Sequence, residues 1–378
     1  MLASGLLSAG MMPGASQANP QKTSRHHKNL YTIDSYSHWS STAILDILEA
    51  AVPIPGYKHP FRALFTNNPQ LINVDARLEL MEKMGIDRSI LVPLPWIETL
   101  PTPFITQGVS LAAAQSLNNQ MAWIVATYPD KFSAVALLPL LNKDDLLMEF
   151  ERCVTQLGMV GGFYVSAYNT KPPDHPDFFD MASDDTLYGK AAQLNVPLWL
   201  HPAKPQILGD YAGENSPPGP GSKYNIYQAL SWLLDSSTAM LRIVFAGVFE
   251  KYPDLKIIIH HHGSLIPLFA ERLVYGWDFF EKNVGAVITT PIDKPYIEHF
   301  KKFYCDTATQ GLSPDLLKRA IDFFGVDRVL FGTDAPMDAT GGEIFTQTAR
   351  DSVEATLLPT PDLRKIFNRN IKGLINLA

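Results

Sequence analysis

Only two cysteines, Cys153 and Cys305, occur in the 378 residues. That is too few for a disulfide scaffold, and they lack the paired spacing of a structural zinc site. Their apolar settings, FERCVTQL and FYCDTA, favour buried, inert thiols. Positive charge is also in short supply. A formal net charge of -7 argues against nucleic acid as the main partner and against a polybasic membrane-binding surface. No run of 18 or more apolar residues follows the leader, so no segment reads as a transmembrane helix. Internal repeats, low-complexity tracts and dividing linkers are missing too, and no Gly-rich dinucleotide turn follows the first strand-like run. What remains is a globular composition, 46% hydrophobic and 18% charged.

The first 28 residues stand apart. MLASGLLSAGMMPGASQA is small and apolar, and Ser16-Gln17-Ala18 suits a signal-peptidase site, yet no Lys or Arg precedes the apolar run. Two readings are open: a remnant of a longer export signal, giving a periplasmic or exported protein, or a disordered leader on a cytoplasmic one. Residues 29–378 read as one domain.

From Leu30 onward, short β-rich runs alternate with longer helical ones. Strands are expected at 30–37, 88–94, 132–140, 159–167, 196–201, 256–261, 302–307 and 327–333. Runs such as KIIIHH and RVLFG lack period-2 alternation, as strands buried on both faces of a parallel sheet do. Helices are expected at 72–84, 226–250, 264–282, 313–324 and 343–356. The first places Leu78, Leu80, Met81 and Met84 on one side and stops at Gly85. Ser313-Pro314 gives the fourth an N-cap followed by proline in its first turn. Eight strands with helical crossovers point to an α/β fold, a (β/α)₈ TIM barrel with additional helices. Loops 95–110 and 203–224 follow the second and fifth strands and rise from the face where such barrels keep their sites.

Polar residues gather at the strand ends. Strand one ends with Tyr36 and His38, strand five with His201, strand six with His260-His261-His262, and strand eight with Asp334. In a parallel barrel these ends converge on one mouth. Imidazoles plus a carboxylate suit a divalent ion. Tyr36 and His38, two apart on a strand, share a face. A lone strand histidine is more often a core residue than a ligand; three such positions plus an aspartate reverse that balance. By strand alternation, His260 and His262 are expected to point away from His261 and to serve in packing or support. His26, His27, His59, His175 and His299 read as solvated surface histidines.

The segments TIDSYSH, LWLHP, IIIHHHGSLIPLFAERL and RVLFGTDAP, with LMEKMGIDRSILVP, resemble the amidohydrolase superfamily. Within it they are similar to the amidohydrolase-related branch that includes aminocarboxymuconate-semialdehyde decarboxylase. The resemblance covers the chain from residue 30. It implies His38, His201 and Asp334 as ligands of one divalent metal ion, and His261 beside the ion as the proton-transfer residue, with Asp334 sharing the catalytic role. Zinc is favoured by the imidazoles; manganese and magnesium are the alternatives. An imidazole of pKa near 6.5 is suited to shuttling a proton.

Tyr36 departs from the branch, where His or Glu stands. Three arrangements are open: a phenolate ligand, a pocket-lining phenol, or a metal-free site. Ser264 departs as well, standing where some decarboxylases carry a Glu that orients the catalytic histidine. The resemblance implies a carboxy-lyase acting on a small carboxylic acid, aromatic or muconate-like, as a soluble homodimer. The alternatives are a metal-dependent hydrolase or hydratase using metal-bound water on an amide, lactone or ring bond, and a metal-free barrel that binds a small molecule. Arg62 and Arg77 are conceivable carboxylate clamps, with salt bridging or surface exposure the expectation for either.

Overall fold

The apolar runs become eight parallel strands, each at its expected place. In the computed structural model the described residues are 30–59, 61–95, 106–168, 177–178, 185–203, 230–285, 288, 290–308 and 313–377. The barrel strands are β1 (Ile33–Trp39), β2 (Arg88–Pro93), β3 (Phe132–Ala134 continued by Ala136–Leu137) and β4 (Gly162–Val165). They continue with β5 (Leu198–His201), β6 (Ile257–Ile259), β7 (Tyr304–Asp306) and β8 (Val329–Leu330). Neighbours pair in parallel in two arcs, β1-β2-β3 and β3-β4-β5-β6-β7-β8.

Backbone hydrogen bonds join the arcs into a ring. At β3 the carbonyl of Leu91 accepts from Val135 N, and that of Gly161 from Ala136 N. At the other seam Ser35 N donates to Phe331 O and His38 N to Ala335 O, with Ser37 and Ala335 bridged in parallel. The interior is filled, as barrels of this size require. Trp199 reaches from β5 to β1, where its Nε1 donates to Ser35 O at 3.0 Å. Gly332 is needed at the β8 seam, since a Cβ there would lie 2.9 Å from Asp306 Cβ and 3.0 Å from Tyr36 Cβ.

Most helices start and stop where the sequence marks them. Asn73 caps Val74–Met84 through Ala76 N, and left-handed Gly85 ends it. Its buried stripe runs through Arg77, Leu80 and Met81, with Leu78 and Met84 half-buried. The expected helix 226–250 is two, Trp232–Phe245 and Val248–Lys251, broken at left-handed Gly247; residues 226–229 lie outside the described residues. Both cysteines are buried, and burial raises both thiols, so neither is poised as a nucleophile.

Tyr31–Ala378 form one compact unit. The leader and nearly all of loops 95–110 and 203–224 lie outside the described residues. Among the described residues no helix is long and apolar enough to cross a membrane.

Candidate metal and active site

Strand ends set this site, and two sharp turns aim it. β1 carries Tyr36 and His38 past a register shift between Asp34 and Ser37. Asp34 then ties β1 to the segment after β8: Oδ2 accepts from Thr333 Oγ1 at 2.6 Å, and Oδ1 from Thr333 N and Tyr36 N at 3.1 Å each. Burial pushes the Asp34 carboxyl up to about 7, against those hydrogen bonds. Asp334 follows in the left-handed region at φ 64°; His261, His262 and Ser264 around Gly263 share that conformation, at φ 60°, 57° and 61°. Such backbone costs about 1–3 kcal/mol per residue, and it collects at functional sites.

Three imidazoles, two of them facing Asp334, have their outer nitrogens held. His38 Nδ1 lies 3.2 Å from Pro93 O, His201 Nδ1 2.6 Å from Pro202 O, and His260 Nδ1 2.5 Å from Asp306 Oδ2. Those oxygens can only accept, so each Nδ1 carries the proton and each Nε2 of a neutral ring keeps its lone pair, which for His38 and His260 faces Asp334. That arrangement is how metal-ligating histidines are oriented. His38 Nε2 lies 3.2 Å and His260 Nε2 3.3 Å from the same oxygen, Asp334 Oδ1. His260 Nε2 approaches without the alignment of a hydrogen bond. Among the described residues His38, His260 and Asp334 form the group whose ligand atoms lie within 4.8 Å of one another. The His201 ring stands slightly apart, 5.5 Å from that of His38 and 5.9 Å from that of His260.

The electrostatics follow from burial among like and unlike charges. Desolvation, with His38 and His260 adding to it, holds His201 well below its ordinary value. For His260 desolvation works downward too, but the Asp306 and Asp334 carboxylates outweigh it and push the imidazole up to about 9. Burial would raise Asp334; the surrounding imidazoles, His260 first, instead hold it well below the carboxylate range. His261 is lowered by burial and by His260. Its Nε2 lies 3.8 Å from Asp334 Oδ2, and neither ring nitrogen is hydrogen-bonded.

His260 differs from the expectation of strand alternation. β6 ends at Ile259, and the left-handed turn that follows breaks the alternation, so the ring swings into the cluster. His262 does turn away, toward Thr307 O at 3.3 Å. Ser264 Oγ donates to His260 O and does not reach the His261 ring. Tyr36 is buried with no partner for its hydroxyl among the described residues, and lies flat on His260. Burial and the carboxylates of Asp306 and Asp334 hold its phenol well above its ordinary value.

Two surface expectations also differ. His59 is buried, with Phe61 N donating to its Nδ1, and His299 is buried between Asp293 O and Glu250. His26, His27 and His175 lie outside the described residues. Arg62 pairs with Glu49 and Asp46, the salt bridging expected of it. Arg77 is buried behind β1, where it donates to the His38 and Gln70 carbonyls. Sequence reasoning passed over Asp306 and Asp235. The first shows the same signal as the others, a carboxylate at a strand end. Asp235 accepts from Ser166 Oγ and Ala203 N, bracing the chain just after His201.

The sequence profile of the amidohydrolase family matches residues 102–376. The chain belongs to this family. The amidohydrolase is 28% identical over 310 residues to gamma-resorcylate decarboxylase of Rhizobium radiobacter, covering 80% of this chain and 87% of that protein. It is 26% identical over 355 residues to the decarboxylase orsB of Emericella nidulans, covering 90% and 95%. The crystal structure of dihydroxybenzoic acid decarboxylase from Polaromonas sp. JS666, with bound manganese and the inhibitor 2-nitroresorcinol, superposes with TM-score 0.71 at 25% identity. That match covers 92% of this amidohydrolase and 97% of its counterpart.

Proposed function

We propose that this amidohydrolase is a metal-dependent carboxy-lyase that removes CO₂ from a small aromatic acid of the hydroxybenzoate class. The observation that carries the reading is the inward convergence of imidazole nitrogens on Asp334, with His261 beside them unbonded at both ring nitrogens. His38, His201 and Asp334 are the residues that would hold one divalent ion. The Polaromonas relative binds manganese, which makes manganese the first metal to test and zinc the second. The chemistry such an ion supplies is positive charge and Lewis acidity toward an anionic substrate.

The protein's own groups account for the rest. An apolar recess at the ends of β3 and β4, lined by Leu137, Leu138, Phe163 and Val165, offers a wall for an aromatic ring next to His201. His261 transfers a proton to the ring carbon that bears the carboxylate. The bond to the carboxyl carbon then breaks, its electron pair stays with the ring, and CO₂ leaves. A depressed imidazole pKa makes the protonated ring a stronger donor for that step. The inferred assembly is a homodimer; exposed Phe269, Tyr275, Phe279 and Phe280 on the helix Ile266–Val284 supply an apolar face, and sedimentation tests it.

The test is CO₂ release from 2,6-dihydroxybenzoate and other hydroxybenzoates by manganese-loaded protein, with metal content measured in parallel. Expected are stoichiometric metal, CO₂ release, and loss of both in His201→Ala. Product that keeps all its carbon would transfer the site to hydrolysis or hydration. A folded protein that takes up no divalent ion and ignores chelators would leave only a binding barrel.

A further inference from the structure

We propose that His260 is itself a metal ligand, through Nε2, and that Tyr36 is the ring that supports it rather than a donor to the ion. The inference rests on the metal-dependent reading above and adds to it a residue that the sequence assigned to packing.

Ligand nitrogens and oxygens sit about 2.0–2.2 Å from a zinc-sized ion, which sets two ligands of one ion about 3.0–3.5 Å apart. His38 Nε2 and His260 Nε2 lie 3.2 and 3.3 Å from Asp334 Oδ1. Both distances fall in that window, on one shared oxygen. Neither outer nitrogen can turn away, because Pro93 O and Asp306 hold the Nδ1 protons. His260 is also fully buried with Nε2 out of hydrogen-bond alignment. Packing alone gives no reason to aim a buried imidazole nitrogen at the carboxylate oxygen that His38 also faces.

Tyr36 is placed for a different task. Its ring lies 3.7 Å from that of His260 with 12° between planes, so it fixes the imidazole plane from one side while Asp306 fixes it at the edge. A phenolate oxygen would bring another charge into a buried site that already holds Asp306 and Asp334, whereas an imidazole nitrogen donates a lone pair without adding charge.

The experiment loads the full chain with Mn²⁺ and measures bound metal and Kd, using the electron paramagnetic resonance signal of free Mn²⁺, in wild type, His260→Gln and Tyr36→Phe. Expected is one ion in wild type and an unchanged Kd in Tyr36→Phe. In His260→Gln, affinity should fall by more than the about 10- to 100-fold that loss of an outer partner costs. Retained affinity in a folded His260→Gln, or loss of affinity in Tyr36→Phe, overturns the inference and leaves the metal-dependent function standing. Wild type that binds neither Mn²⁺ nor Zn²⁺ overturns both. Should His260→Gln fail to fold, X-ray absorption of the manganese-loaded wild type decides: three imidazoles, from His38, His201 and His260, are expected, and two overturn the inference.

Discussion

Tyr36 on β1 and His260, just past the end of β6, are stacked face to face with ring centroids 3.7 Å apart. The phenol ring contributes packing while its hydroxyl, buried without a partner among the described residues, contributes a penalty. Tyr36→Phe keeps the stack and removes the orphaned group, so the ion-free protein should gain about 1 kcal/mol. Tyr36→Ala removes the ring and should cost about 3–5 kcal/mol, as large-to-small changes in cores do. Denaturant melts of the two variants against wild type check both signs. A less stable Tyr36→Phe would mean that the hydroxyl has a partner in solution.

Asp306 sits one step behind the cluster. Its carboxylate takes the Nδ1 proton of His260 and the backbone N–H groups of His261 and Ala308, the latter two at 3.0 Å each. One side chain thus orients the His260 ring and holds the backbone of His261. Asp306→Asn keeps size and shape but weakens that hold. Mn²⁺ affinity should drop about 10- to 100-fold, the usual cost of an outer partner, with the fold retained by circular dichroism. Affinity equal to wild type would show that Asp306 serves the fold alone.

The architecture was readable because strands buried on both faces leave an uninterrupted apolar signature. KIIIHH, LWLH and RVLFG could be placed without any knowledge of their neighbours. His38, His201, His261 and Asp334 could be gathered for a related reason: parallel strand ends share one mouth, so position along a strand is enough. Choosing among three consecutive histidines is a different problem. Alternation holds only while the strand continues, and the left-handed backbone from His261 to Ser264 packs Gly263 against Phe324, where a Cβ would meet the ring at 2.4 Å. Nothing local in HHHGS announces that contact. The burial of His59 and His299 was equally hidden, since Glu49 accepts from His59 N and Glu250 pairs with the His299 ring, tertiary contacts that hydropathy does not register.

His261 should separate chemistry from binding. It lies 3.8 Å from Asp334 Oδ2 and makes no ring hydrogen bond, so its removal leaves the other rings and their anchors in place. His261→Gln should keep stoichiometric metal and lower kcat for CO₂ release by about 10²- to 10⁴-fold, the range of a lost general acid. Metal analysis alongside steady-state kinetics decides. Loss of metal with loss of rate would make His261 a ligand instead of a proton donor.

Asp235 gives a prediction about pH that is independent of the metal. Burial raises its carboxyl to about 6, against the hydrogen bonds from Ser166 and Ala203. In the unfolded chain it ionises near 3.8. Between those values the folded state keeps a proton that the unfolded state has lost, so stability falls as pH rises through the window. The neutral form is therefore the better tolerated one, and its advantage is fully present only below about pH 4. By pH 7 the group should have cost on the order of 2–3 kcal/mol relative to pH 4. Asp235→Asn keeps an acceptor oxygen for Ala203 N and cannot ionise. Urea melts at pH 4, 5, 6 and 7 should show the variant gaining on wild type as pH rises, with the difference levelling off above about pH 6. A constant difference between the two proteins across that range would show that Asp235 ionises normally in the fold, and that its contact with the chain after His201 is made by an ordinary carboxylate.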